Sequence, residues 1–262
     1  MDKISFLGTE WSVYQMFCYF VIYSIIGWVV EVIYMTLETG EFDNRGFLNG
    51  PLCPIYGFGV VFILIALTPI KESAILLYIG SVILCTSWEF LIGFLLEKIF
   101  HNTWWDYSHE KFNLKGYICL KNSLLWGVGC LIVMRIVHPA IEKFIDIIPV
   151  KIGLPVAWGV FVYILADLGI SLAVIINLNN RLQQLDELRR RFRIASDAIG
   201  ENLSEEVLEL KSKYDKLAEK TTIWQERVLR AFPQMRSHEY NIVLSELREK
   251  LDIRNKLKKR KK

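Results

Sequence analysis

GWVVEVIYMTLETGEFDNRGFLNGPLCPIYGFG, residues 27–59, decides how the rest of the chain is read. It joins the end of one long apolar run to the start of another through a short polar link. Glu31 sits inside the first run, and Asn44, Arg45 and Gly46 sit in the link, followed by Gly50, Pro51 and Pro54. A carboxylate in hydrocarbon costs about 2.5–3.5 kcal/mol on insertion scales, so such a residue has a partner or a task. Arg45 is the nearest basic residue in the link. Pro51 and Pro54 suit the first turn of a helix, where a missing N–H is no loss.

Outward from this stretch the chain stays apolar. Of its 262 residues, 53% are hydrophobic, and the mean hydropathy is +0.30. That suits a polytopic membrane protein with a soluble part better than an ordinary soluble domain. Charge divides the chain in two. Residues 1–178 carry ten Lys/Arg against fourteen Asp/Glu, a net of −4; residues 179–262 carry twenty-one against fourteen, a net of +7. The expected domains are a transmembrane helical body, 1–178, and a charged helical tail, 179–262. Five cysteines, Cys18, Cys53, Cys85, Cys119 and Cys130, show no CxxC spacing and read as small buried hydrophobes. No cleavage-site pattern follows the first apolar run, which reads as a retained anchor.

Five segments approach the roughly 20 residues needed to span: 11–37, 54–68, 73–96, 120–139 and 152–178. The second is short unless it starts near Pro51. Pro69 and Pro139 read as helix ends, and 141–148 as a short amphipathic helix at the interface. Alternating links put Arg45, Lys98, Lys111, Lys115, Lys121 and the basic tail on one side, and Lys3, Lys71, Lys143 and Lys151 on the other. The positive-inside rule then makes the tail cytoplasmic and the N-terminus external.

This topology gathers polar residues at the inner mouth. Glu31 and Glu89 lie about two turns from the inner ends of their helices, beside Asn44–Arg45 and the loop Trp105–Asp106–Tyr107. Asp167 sits nearer the middle of the membrane, and Arg135 toward the outer end of its span. The acids can form a pathway for a cation, a proton or a polar substrate. The competing reading is that each is neutral and hydrogen-bonded, or paired with Arg45 or Arg135, and holds helices together. Arg45 can grip a phosphate or carboxylate with its planar fork, or close a tight turn as a topology charge. Trp104, Trp105 and Tyr107 are the aromatics expected at a headgroup boundary. His101, Asp106 and His109 match no metal-ligand spacing, and His138 reads as a helix-end polar residue.

The tail reads as helices. Apolar residues step by three and four from Leu178 to Ile199, where Gly200 stops the run and Asn202 caps the next. Val207, Leu210, Tyr214, Leu217, Thr221, Trp224, Val228 and Ala231 then form a heptad seam in a 203–231 helix. The seam fits a coiled-coil homo-oligomer or a helix folded back on its own tail. The terminal KLKKRKK suits an anionic membrane surface.

Several pieces resemble one family: GWVVEVIY (27–34), NRGFLNGPLCPIYGFG (44–59), WEFLIGFLLE (88–97), WWDYS (104–108), FNLKGYICLKNSLLWG (112–127) and, more loosely, AFPQMRS (231–237). They are similar to the ABC-transporter type IV permeases, bacterial polytopic membrane proteins. The resemblance implies a multi-pass protein of the bacterial cytoplasmic membrane with a transport role. There is no GxxxxGK[ST], GxSxG, HExxH or kinase set. An ATPase, if one is used, is therefore a separate ATP-binding subunit.

The expected protein is an all-α membrane bundle of about five transmembrane helices with a cytoplasmic helical tail. Its expected function is that of a permease-like subunit, not an enzyme. It would move or bind a polar or charged small molecule or ion through Glu31, Arg45, Glu89, Asn44, Asp106 and Asp167. Neither cofactor, metal nor nucleic acid is expected. The alternatives are an enzyme on lipid or lipid-linked phosphates, with Glu31 or Asp106 as base, and a scaffold acting through its tail.

Overall fold

The computed structural model describes residues 3–6, 9–199 and 205–259. The expected helix stop at Gly200, the cap at Asn202 and the last three residues of the basic terminus lie outside that range. Helices dominate the described residues, and four of them are long and apolar enough to cross a membrane. The protein is an all-α membrane protein.

The chain divides into two compact units: residues 1–95 with 105–171, and residues 96–104 with 172–262. The first unit opens with a hairpin, β1 (Lys3–Phe6) and β2 (Thr9–Ser12). Helix α1 (Val13–Thr39) follows and ends at Gly40, whose φ of 72° and N–H bond to Thr36 O make a left-handed cap. Residues 40–53 are the non-helical link. Helix α2 (Pro54–Leu67) starts on a proline, as expected, but has only 14 residues, about 21 Å at 1.5 Å per residue. That is shorter than the hydrocarbon core of about 30 Å.

Helices α1 and α2 touch almost backbone to backbone. A Cβ on Gly27 would fall 2.3 Å from Tyr56 Cγ, and one on Gly57 would fall 2.2 Å from Ser24 Oγ and 2.5 Å from the Phe20 carbonyl. Small residues permit this approach, which hydrocarbon solvent does not itself drive.

A 3₁₀ turn (Thr68–Ile70) leads to α3 (Ala74–Phe100). Between α3 and α4 the first unit holds a loop with the hairpin β4 (Asn113–Leu114) and β5 (Ile118–Cys119). Helix α4 (Leu120–Ile132) passes through a π turn (Val133–Val137) into α5 (His138–Ile147). This corrects two expectations. Pro139 does not end the helix, and 141–148 continues it rather than standing as a separate helix. The π turn lets the His138 N–H bond to Val133 O, five residues back, so the ladder reforms around a proline that has no N–H of its own. Arg135, in that turn, donates to the carbonyls of Lys71 and Glu72 at 3.2 and 2.9 Å. His138 is buried rather than terminal: Nδ1 lies 3.3 Å from the Tyr23 hydroxyl, and the ring meets Tyr19 edge-on.

Helix α6 (Val150–Ile199) is a single helix of 50 residues whose first part, to Ser171, belongs to this unit. The outer faces of these helices are apolar and bare: Ile75, Ile83, Ile136 and Val162 are 58–72% exposed. In water such a surface would aggregate; in a bilayer it faces lipid.

The second unit folds on itself. Leu178, Leu182 and Leu185 of α6 are buried, as are Val228, Leu229 and Ala231 of α8 (Ile223–Ala231) and Val243, Leu244 and Leu247 of α9 (Asn241–Lys259). Strand β3 (Asn102–Thr103) pairs with β6 (Arg236–Ser237). Asn179 locks the strand in place, donating to Phe100 O and accepting from Asn102, both at 2.9 Å.

The expected continuous helix over 203–231 is corrected to two, α7 (Glu205–Glu219) and α8. Thr222 accepts from Gln225 N–H while Gln225 accepts from Thr222 N–H, a capping box that starts a new helix. Arg181 closes the other side of the break, donating to Leu217 O, Ala218 O and Gln225 Oε1. The heptad seam is therefore interrupted, and Val207, Ala218, Val228 and Ala231 are buried within the chain. Burial and the adjoining Glu246 carboxyl both push the Tyr214 hydroxyl above the ordinary tyrosine range, so it remains a donor to Glu246.

Candidate functional site

The link of residues 40–53 is not a surface turn. Its last residue, Cys53, donates its N–H to the carbonyl of Ser24, in the middle of α1, at 2.9 Å. Ser24 lies 15 residues before the end of α1 at Thr39, about 22 Å along the helix axis. The link therefore runs back down alongside α1, and α2 begins at the depth of Ser24. Leu48 and Leu52 anchor it: both are buried, against Phe17, Phe20 and Val21 of α1 and Ile164 of α6.

Extended backbone at this depth needs partners for its N–H and C=O groups. Asp167, on α6, supplies the largest share. Its buried carboxylate accepts from Asn49 N–H (3.0 Å), Asn49 Nδ2 (2.9 Å) and Gly50 N–H (2.7 Å). Ser171, one turn on, accepts from Asn49 Nδ2 at 2.9 Å. Asn44 works on the other side: Oδ1 accepts from Trp28 Nε1 (2.7 Å) and Gly46 N–H (3.1 Å), and Nδ2 donates to Asn49 O (2.6 Å). Asp167 and Asn44 thus hold the link.

Beside the link lies a cluster of ionisable groups. Arg45 Nε is 3.5 Å from Glu31 Oε2, and the guanidinium also reaches Met35 Sδ and lies over the Tyr34 ring. The Tyr56 hydroxyl, in the first turn of α2, donates to Glu31 Oε1 at 2.5 Å. Glu89 of α3 approaches closely enough to interact electrostatically with Glu31. Tyr107 donates to Glu89 Oε1 at 3.2 Å, and the Trp126 indole of α4 approaches the same carboxyl. Glu89 Oε2 is buried and has no hydrogen-bond partner. Burial raises the Tyr107 hydroxyl well above the usual tyrosine range, and the Glu89 carboxyl adds to the effect. Tyr107 therefore keeps its proton and donates.

The loop around Tyr107 is built to place it. Tyr107 N–H bonds to Gly116 O at 2.9 Å, and Trp105 Nε1 donates to Tyr117 O at 2.9 Å. Asp106 Oδ1 accepts from Ser108 N–H at 2.8 Å, which tightens the turn.

The structure thus brings Glu31, Arg45, Glu89 and Tyr107 together. Asn44 and Asp167 organise the link next to them, and Asp106 accepts from Ser108 N–H in the loop before Tyr117. Trp104 is buried in the second unit between Phe100 and Phe232, with ring centroids at 5.9 and 4.8 Å. Trp105 packs within the first unit's loop. His101 and His109 join no cluster: among the described residues, no group of three His, Cys, Asp or Glu is placed to hold a metal ion. The sequence reading passed over Tyr56, Trp126, Asn49 and Ser171. Tyr56 had one available signal, its position two residues after Pro54 in the first turn of a helix beside Gly27. The other three had none, because their partners are 37 to 122 residues away in the chain.

A family model described as Putative ABC-transporter type IV matches residues 18–172. The chain belongs to that family. The match runs from α1 to the early part of α6, so it contains the link and every residue of the cluster, and it stops short of the tail. It makes this a membrane protein of a transport-related family. Comparison with curated proteins and with solved structures returned no match.

Proposed function

We propose that the chain is a permease-like subunit of the bacterial cytoplasmic membrane that binds or moves a polar or charged small molecule or ion at Glu31, Arg45 and Glu89. The observation that carries this reading is the polar link folded down to the depth of Ser24, followed by a half-length helix. Non-helical backbone at membrane depth is kept where it is packed in protein or lines a path, and broken helices of this kind mark the binding sites of transporters.

In this reading α1, α3, α4 with α5, and α6 each cross the bilayer. The link and α2 together make the remaining crossing, half extended and half helical. Five crossings put the N-terminus outside and the basic tail in the cytoplasm. Arg45 neutralises Glu31 and is placed to orient an anionic group; Glu89 is free to take up positive charge. ATP hydrolysis, if coupled, comes from a separate ATP-binding subunit docked on the tail, since the chain has no phosphate-cradling loop.

The test starts from purified full-length protein and a panel of amino acids, polyamines, inorganic phosphate, citrate, sodium and potassium. The expected result is that at least one solute raises the thermal midpoint of the wild type. That solute should be taken up by proteoliposomes and lose its effect in Glu31→Gln and Arg45→Met. Uptake unchanged in both variants would overturn the assignment of this site.

A further inference from the structure

Glu89 differs from every other acid in the first unit's interior. It is 9% exposed, and Oε2 has no partner. Asp167, also buried, is held by three N–H donors. Glu31 has a guanidinium and a phenol. The groups that interact with Glu89 lie on several elements, with the Tyr56 hydroxyl of α2 tied to Glu31 beyond them. They are Glu31 on α1, Tyr107 on the loop after α3, Trp126 on α4, and Cys85 one turn back on its own helix. None of these is a cation. The cation of the cluster, Arg45, is committed to Glu31. A carboxylate placed here would face a second acid with no positive charge of its own.

We propose that Glu89 is a proton-exchange site, carrying a proton on Oε2 and releasing it when an acceptor enters beside that oxygen. This rests on reading the cluster as a transport site, and it names the coupling ion as a proton rather than a metal cation. Release breaks the O–H bond at Oε2 and leaves its electron pair on the carboxylate. The proton goes to the entering acceptor, a water or a basic group on the solute, and no redox partner is needed. Tyr107, which keeps its hydroxyl proton, donates at 3.2 Å and steadies the carboxylate that remains. A half-reaction of this kind lets a closed bundle pass positive charge without opening a wide channel, because a proton needs only a donor and an acceptor in reach.

The experiment is infrared difference spectroscopy on the full-length protein in lipid nanodiscs, stepped from acid to alkaline pH. The C=O stretch of a protonated carboxyl is resolved from the carboxylate bands and shifts on exchange into deuterium oxide. The expected result is a reversible, pH-dependent C=O band that disappears in Glu89→Gln and persists in Glu31→Gln. Glu89→Asp, which keeps the acid and guards against a folding defect, should retain the band at an altered position. Tyr107→Phe should move the pH at which the band disappears toward higher values, because the carboxylate loses a donor.

Persistence of the whole band in a folded Glu89→Gln protein would overturn the proposal. So would the absence of any such band in wild type together with a thermal shift by sodium or potassium that Glu89→Gln abolishes. Either result leaves the transport reading standing, since solute binding at Arg45 is measured separately. Conversely, a Glu89 band with no solute uptake would sink the transport reading and leave the proton site.

Discussion

Replacing Asp167 with Ala tests whether one carboxylate holds the link inside the bundle. Four hydrogen bonds end on that carboxylate, from Asn49 N–H, Asn49 Nδ2, Gly50 N–H and, at 3.4 Å, the Ser171 hydroxyl. Asn49 Nδ2 retains Ser171 Oγ at 2.9 Å, so the substitution orphans two backbone N–H groups. A buried donor left without a partner costs about 1–3 kcal/mol, giving about 4 kcal/mol for two. Relief from burying a charge returns part of this, and about 3 kcal/mol is the expected net loss. At about 1.4 kcal/mol per tenfold, the opening equilibrium of the link rises by roughly two orders of magnitude. Asp167→Asn keeps one acceptor oxygen and turns an NH2 toward a donor, so about half the effect is expected. The assay is amide hydrogen exchange of the full-length protein in nanodiscs, followed on peptides covering 43–53, with 80–95 of α3 as internal reference. Link amides in Asp167→Ala that exchange as slowly as in wild type, with α3 unchanged, would refute the reasoning.

Two further outcomes follow from the same geometry. Thr222→Ala removes the capping box and should destabilise α8 by about 1 kcal/mol, read as faster exchange of amides 223–226; an unchanged rate would show that Arg181 alone defines the break. Cys85 and Cys130 place their sulfurs 3.3 Å apart across α3 and α4. A membrane-permeant thiol oxidant should therefore join the two helices. After trypsin cleavage at exposed Lys111 or Lys115, the fragments should stay together until reduced, and Cys85→Ser should separate them.

Much of this architecture is written in local patterns. Four long apolar runs require helices whatever their neighbours, because in lipid every backbone group must find its partner within the segment. Pro54 opens α2, and the steps of three and four through Leu178, Leu182 and Leu185 mark the buried face of the tail helix. Glu31, Arg45, Glu89 and the loop Trp105–Asp106–Tyr107 could be expected near one another from helix rise and the cost of burying charge, but the sequence read Tyr107 as an interface aromatic and did not single it out as a partner of Glu89. Thr222 with Gln225 was a readable helix start, but the heptad spacing on either side masked it.

What local pattern could not supply was depth and pairing. Nothing in residues 40–53 says that they turn back along α1 rather than lie on the surface. That is decided by Gly27 and Gly57 letting α1 and α2 close up, and by Asp167, more than a hundred residues away, accepting the N–H groups of Asn49 and Gly50. Sequence by itself determined that the chain is a helical membrane protein with acids in its spans and a basic tail. Only the tertiary structure decided which acid is paired with a cation, which is tied to backbone and which has a bare oxygen, because those states depend on distances between segments that the chain separates.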